Sequence, residues 1–357
     1  MKKNILLFPF ISILLITACN VTSAKTKLQP PTGDKIYFSA FPDFGGSEDN
    51  VSAGKIKEFE KIAGKRLAWA CFSQNWFNGI VYPKHDIHAI HDAGVMPYVR
   101  LMPRTDEIQN HPEQTFTLQR IIDGKFDKEL KKWAYDAKTD GIPIFIDFAV
   151  EMNGEWFPWS GVFNGGAVKD KYGDKNYPDG PERYRDAYRH IIDLFRAEGV
   201  QHVTWTFHVN YVPFPDKEWN YPKNYYPGDD YIDWIGFSLY GAQEPSEEWE
   251  GLEFSTQFKQ HYKQFNAISS TKPKAVFEFG VIEDHPDGNK SAWLGDAFKT
   301  ILDNPYMTIQ AISPWHEKWQ NEDETWSNLR LDSSARTQAT FQKWVKDPRF
   351  ISDVKLK

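Results

Sequence analysis

The chain has 357 residues, with 42 Lys and Arg against 49 Asp and Glu and a formal net charge of −7. That mildly acidic balance argues against nucleic acid or an anionic membrane surface as a partner. Aromatic residues make up 16% of the chain, with 14 Trp, and many stand at the ends of apolar runs, a placement that suits a carbohydrate-binding surface.

Lys2 and Lys3 lead an apolar run from Ile5 to Ile16 that is short for a membrane span. Ile16-Thr17-Ala18-Cys19 closes it like a bacterial lipobox, whose cysteine is acylated and heads the mature chain. Residues 1–18 are therefore expected to be a lipoprotein signal peptide and Cys19 the lipidated residue. Residues 19–33, polar and carrying Pro30-Pro31, are read as a tether. Residues 34–357 then form one soluble domain outside the cytoplasm, a monomer that reaches the membrane (cell surface or periplasm) only through its lipid. Cys71 is left without a disulfide partner and is expected to be a buried, small apolar group.

Eight short, β-rich apolar runs follow: Lys35–Phe41, Arg66–Phe72, Met96–Leu101, Pro143–Val150, His202–His208, Tyr231–Leu239, Lys274–Phe279 and Thr308–Pro314. Helical spacing is clearest over Lys55–Ala63, Lys84–Ala93, Asp127–Lys138, Pro181–Glu198, Ser255–Ile268 and Ser291–Leu302, with a last helix over Ser334–Val345. Gly64, Gly94, Gly141 and Gly199 stand just past four of them, as C-terminal stops should. Strands alternating with helices predict an α/β fold with a parallel sheet, and eight units in about 300 residues predict a single-domain (β/α)₈ TIM barrel. The alternative, an open doubly wound sheet, would normally carry a Gly-rich nucleotide turn after the first strand; Asp43-Phe44-Gly45-Gly46 is not one. Val209 to Asp230 holds no convincing helix and reads as a long loop in place of the fifth.

In such barrels the chemistry gathers where the strands end. The fourth run, Phe145 to Val150, ends abruptly in Glu151, followed by Asn153, Glu155, Trp156 and Trp159 in a loop shaped by Gly154 and Pro158. An acid, an amide and flat indoles together suit hydrolysis of a sugar polymer: the acid protonates a leaving oxygen, the amide bonds hydroxyls and the indoles stack on sugar rings. The seventh run delivers a second carboxylate, Glu278, in Val276-Phe277-Glu278-Phe279-Gly280. Charges in such runs are costly to bury without a partner or a purpose, and the plainer alternative is an ion pair, with Arg100 as the candidate cation. Strands four and seven face each other across eight strands. Their acids can approach to roughly 5 Å, the separation used in double displacement with retention, and mutual repulsion would raise one pKa so that the donor keeps its proton. The other run ends contribute Trp76, Arg100, His208, Asn210, Tyr240, Trp315 and Trp319 as candidate substrate-binding residues, beside Asn153, Trp156 and Trp159. Asp43, Glu155 and Glu283 are alternative acids, none ending a run as cleanly. His208 and His316 lack paired ligand spacing, so no metal and no cofactor is expected. Asp229-Asp230, Glu247-Glu248 and Glu322-Asp323-Glu324 read as solvated loop charges.

The string Glu-Met-Asn-Gly-x-Trp-x-x-Trp at strand four, with a second Glu at strand seven, resembles glycoside hydrolase family 26, retaining (β/α)₈ glycosidases that include endo-β-1,4-mannanases, β-1,3-xylanases and mixed-linkage β-glucanases. The resemblance covers nearly the whole domain. It implies that Glu151 is the acid/base and Glu278 the nucleophile, that Trp156 stacks beside the acid, that Tyr240 bonds the nucleophile and that Trp315 walls the site. The histidine that usually precedes the acid in mannanases is Val150 here, which sets mannan specificity in doubt. The expected activity is hydrolysis of a mannan, β-glucan or bacterial exopolysaccharide. The competing reading is a non-catalytic polysaccharide-binding lipoprotein on the same barrel, and the presence of both glutamates favours the enzyme.

Overall fold

The computed structural model describes residues 27–321 and 323–357. The signal segment, Cys19 and the first part of the expected tether lie outside the described residues, as does Glu322. Eight parallel strands form the core: β1 (Ile36–Phe38, resumed at Phe41–Pro42), β2 (Trp69–Asn75), β3 (Met96–Met102), β4 (Ile144–Phe148), β5 (Val203–Asn210), β6 (Trp234–Tyr240), β7 (Lys274–Gly280) and β8 (Ile309–His316). Each pairs in parallel with the next from β2 to β8, and β8 pairs with β1. The ring closes between β1 and β2 through a parallel bridge from Ala40 to Ala70 and the bonds Ala68 N to Phe38 O (2.7 Å) and Cys71 N to Ala40 O (3.2 Å). The sheet thus returns on itself, which sets the doubly wound alternative aside. All eight runs read from the sequence become strands because their residues are buried on both faces.

Around the ring lie α1 (Ala53–Ala63), α2 (Lys84–Asp92), α3 (Leu118–Ile122), α4 (Asp127–Asp140), α5 (Asp179–Ala197), α6 (Phe254–Asn266), α7 (Lys290–Asp303) and α8 (Ala335–Val345). Local chemistry marks their ends. Ser52 accepts a bond from Lys55 N at the start of α1, Gly64 ends it at φ 67°, and Gly141 ends α4 at φ 72°. The five residues of α3 are too few to show a period, which is why the sequence did not reveal them. No α-helix joins β5 to β6: two 3₁₀ turns, Glu218–Asn220 and Pro222–Tyr225, stand in the long loop instead.

The aromatic excess turns out to be largely core, a correction to its reading as carbohydrate surface. Trp69, Trp76, Trp133, Trp159 and Trp234 are fully buried. An aromatic plug fills the barrel, with ring centroids 5.2 Å apart for Trp69 and Phe145, 4.8 Å for Tyr98 and Phe145, and 5.6 Å for Phe145 and Phe277. Gly236 on β6 makes room for that plug, since a Cβ there would lie 2.1 Å from the Phe277 ring. Large rings in the lower barrel leave the polar chemistry to the opposite rim. Cys71 is buried and unpaired, as expected.

The tether also ends earlier than expected. Leu28–Gln29 pairs with Lys355–Leu356 under the barrel. Leu28 is buried, its N–H donates to Thr204 Oγ1 at 2.8 Å, and Lys27 pairs with Asp233 at 2.8 Å. One apolar side chain and two backbone partners hold residues that composition alone marked as linker. Among the described residues no helix is long and apolar enough to cross a membrane.

Candidate active site

β4 ends in a sharp turn that aims Glu151. Ala149 and Glu151 adopt φ of 52° and 54°, a left-handed conformation that costs an L residue roughly 1–2 kcal/mol. Three bonds hold it: Ala149 N to Leu101 O (3.0 Å), Glu151 N to His208 O (2.9 Å), and the Trp159 indole N–H to Val150 O (2.7 Å). The Glu151 carboxylate accepts a bond from the half-buried Trp156 indole at 2.8 Å and is only 7% exposed. The loop is tied to β5 by Asn153, whose Nδ2 donates to Asn210 O (2.7 Å) while its Oδ1 accepts from Asn210 N (2.9 Å).

Glu278 on β7 is 6% exposed and held differently. The Tyr240 hydroxyl donates to Oε2 at 2.8 Å, and Arg100 Nη1 makes an ion pair with Oε1. Arg100 is itself clamped, with Nη2 on Glu48, Nε on Ser73 Oγ at 3.2 Å, and its guanidinium 5.1 Å from the centre of the Trp315 ring. The ion pair weighed as the plainer alternative is therefore real, but one oxygen of Glu278 is bonded by a tyrosine instead of a cation. Trp315 stacks on Phe41 at 3.9 Å and donates to Glu317 Oε2 at 2.9 Å.

Burial pushes the Glu278 carboxyl up to about 7; the charges of Arg100 and His208 pull against it, and Glu151 and Glu48 add to the rise. Burial is thus the main cause of the lift on the β7 carboxyl, with repulsion from the neighbouring carboxylates a smaller one. Glu151's charge acts on Glu278, Tyr240, His208 and Arg100 alike, so the two acids share one electrostatic neighbourhood. Burial also drives Glu317 up to about 8, with Glu48 contributing. His208 is buried between Asp147 (2.9 Å) and Ser238 (2.7 Å). Burial opposes its charged form, but the bond to Asp147 and the surrounding carboxylates outweigh it and raise its pKa.

The structure thus brings Glu151, Trp156, Arg100, Tyr240, Glu278 and Trp315 into one rim. It removes Trp76, Asn153, Trp159 and His208 from direct sugar contact. All four are fully buried, and their polar atoms bond within the protein, Trp76 to Gln74 Oε1 at 3.0 Å. Arg100 is likewise buried and commits its nitrogens to Glu278, Glu48 and Ser73, a positioning role for a residue read as substrate-binding. Asn210 remains half-buried with its amide on Val212 O (2.6 Å), and Trp319 is half-buried on a hairpin of Lys318–Gln320 with Trp326–Asn328. Of the alternative acids, Asp43 pairs with Arg330, and Glu283 accepts from Ser333 (2.6 Å) and Thr337 (2.8 Å), so both are tied down structurally. Glu48 was missed, because it ends no apolar run. Among the described residues no group of three or more His, Cys, Asp or Glu is placed to hold a metal.

The model of the family described as "Glycosyl hydrolase family 26" matches residues 91–273, the span from before β3 to the edge of β7 and including the Glu151 turn. The chain belongs to glycosyl hydrolase family 26. Its relatives include endoglucanase H of Acetivibrio thermocellus, 27% identical over 308 residues, which is 84% of this chain and 29% of that protein. A mannan endo-1,4-beta-mannosidase of Bacillus subtilis is 27% identical over 185 residues, 52% of this chain and 42% of that one. A beta-1,3-xylanase of a Vibrio species, TXYA, is 20% identical over 66% of this chain and 50% of its own. The chain therefore spans half or less of the length of these relatives. Among solved structures, GH26C from a Muricauda species superposes with a TM-score of 0.62 at 16% identity, covering 89% of this chain and 87% of that one. The mannanase man26 of B. subtilis superposes with a TM-score of 0.55 at 17% identity, covering 90% and 88%. At such identities these two support the barrel fold.

Proposed function

We propose that this family 26 barrel is a retaining endo-β-glycanase. In the first step a Glu278 oxygen attacks the anomeric carbon, the glycosidic C–O bond breaks, and Glu151 gives its proton to the departing oxygen. In the second, Glu151 takes a proton from water, the water oxygen attacks the anomeric carbon, and the bond to Glu278 breaks. The observation that carries this reading is the asymmetric pair itself: two carboxylates at one rim, Glu278 held by Arg100 and Tyr240, Glu151 touched by a single indole. The clamped group is the one whose oxygen must be aimed. The lightly held one must lose one proton and regain one in each cycle.

Trp156, half-buried beside Glu151, supplies an aromatic face for a sugar ring, whereas Trp315 is buried with Phe41 stacked on it and Arg100 over its ring. For the polymer we favour a β-glucan. The endoglucanase relative aligns over 84% of the chain, against 52% for the mannosidase, and Val150, in the place where mannanases usually carry histidine, is buried and apolar. The lipobox ending at Cys19 supports attachment to a bacterial membrane by lipid, outside the cytoplasm. Digesting β-glucan, β-mannan, β-xylan and bacterial exopolysaccharides, sizing the products and following the anomeric proton signals by NMR tests the reading. Products that first appear with the opposite anomeric configuration would rule out double displacement, and no cleavage of any polymer would rule out the glycanase. Palmitate labelling that persists in Cys19→Ser would overturn the anchor.

A further inference from the structure

Among the described residues two arginines are buried, Arg100 and Arg104, and their surroundings differ. Arg100 faces two carboxylates, Glu48 and Glu278. Arg104 is 7% exposed and has no carboxylate within ion-pair distance. Its Nε donates to Asn75 Oδ1 at 2.8 Å, and its guanidinium lies 5.6 Å from the Phe77 ring centre and 6.0 Å from that of Phe157. Neither Nη atom bonds a described protein group, yet neither is fully enclosed, so both remain open to a partner from outside. The side chain is held ready for one: Asn75 donates its own amide to Ser47 O at 2.8 Å, which turns its oxygen toward Arg104.

A guanidinium stays charged under all ordinary conditions, and burying it without a counter-charge is strongly unfavourable. Glu48, Glu107 and Asp106 act on it only at a distance, and burial weighs against its charge. The position is at the catalytic rim: Arg104 lies two residues beyond β3, Asn75 ends β2, and Phe157 follows Trp156, the residue bonded to Glu151. Resting on the reading of this rim as a polysaccharide cleft, we propose that Arg104 binds a carboxylate substituent of the polymer, which makes the substrate an acidic β-glycan. The two free Nη groups match the two oxygens of a carboxylate, and the flanking rings exclude water from the pair.

The test compares a β-glucan and a β-mannan, each before and after partial oxidation of C6 to the carboxylate. The wild-type chain should favour the oxidised form of the polymer it accepts by about tenfold in kcat/KM. Arg104→Met should collapse that ratio, and Arg104→Lys should keep part of it, because the charge remains while the fork is lost. Asn75→Asp, which supplies the missing carboxylate from within, should collapse it as well and serves if Arg104→Met does not fold. A wild-type ratio of one or less in both pairs, or an unchanged ratio in the variants, overturns the proposal; either result also follows if Arg104 bonds neutral hydroxyls. Retardation in native gels cast with each polymer reads the same ratio without turnover. An enzyme that cleaves nothing but shows an Arg104-dependent preference for the oxidised polymer would therefore remove the glycanase reading and leave this one standing.

Discussion

The two carboxylates of the rim are built in opposite ways. Glu151 stands on strained backbone, with left-handed φ at Ala149 and Glu151, and its side chain has one neutral donor. Glu278 stands inside β7 without a left-handed φ, at the point where the pairing with β6 and β8 shifts register, and its side chain has a cation and a hydroxyl. Precision is supplied by the main chain in one case and by side chains in the other. A group that exchanges protons tolerates few fixed donors, because each one favours the ionised form; a nucleophile is aimed by them.

The sharpest way to break this comparison is Glu278→Ala against Glu151→Ala. Loss of Glu278 should reduce turnover by on the order of 10⁴ or more on every substrate. Loss of Glu151 should spare aryl glycosides with good leaving groups, and azide should restore part of the lost rate. Equal losses on both substrate types would erase the distinction between the two roles. The pH profile sharpens it next. In the proposed double displacement Glu278 attacks in its ionised form, so kcat/KM should rise with pH through about 7, where burial has pushed its carboxyl. Glu48's negative charge contributes to that rise, so Glu48→Gln should move the acidic limb to lower pH. A limb that stays in place would show that the Glu48–Arg100–Glu278 chain does not tune the nucleophile.

Trp159→Phe tests the backbone side of the contrast. It removes the N–H on Val150 O and leaves a buried carbonyl unpaired, a loss of about 1–3 kcal/mol. Because that carbonyl lies within the turn that aims Glu151, kcat should fall while KM holds; a stability loss with unchanged kcat would make Trp159 a core residue only. The smallest effect is expected for Trp156→Phe. It keeps an aromatic face and removes one hydrogen bond to Glu151, so steady-state kinetics should show KM holding while kcat changes several-fold.

Much of this molecule is legible along the chain. The eight runs, the helix stops at Gly64 and Gly141 and the missing fifth helix follow from local composition, because backbone hydrogen bonding and side-chain periodicity are local properties. Glu151 and Glu278 stand out for a related reason: a charge at the end of a buried strand is anomalous in its own neighbourhood. Glu48 carries no such mark. Its role exists only because the loop after β1 carries it to Arg100, 52 positions away in sequence. The same limit misassigned Trp76, Asn153, Trp159 and His208, whose residue types suit a sugar site but whose burial depends on what packs over them.

Sequence alone determined the barrel, its order of elements and the pair of glutamates, since each is written in short stretches of apolar and polar alternation. Tertiary structure decided which aromatic rings face solvent, which arginine has a counter-charge, and where the tether stops as Leu28 meets Leu356. Those outcomes rest on contacts between segments far apart in the chain, and the energy of such a contact belongs to both partners at once.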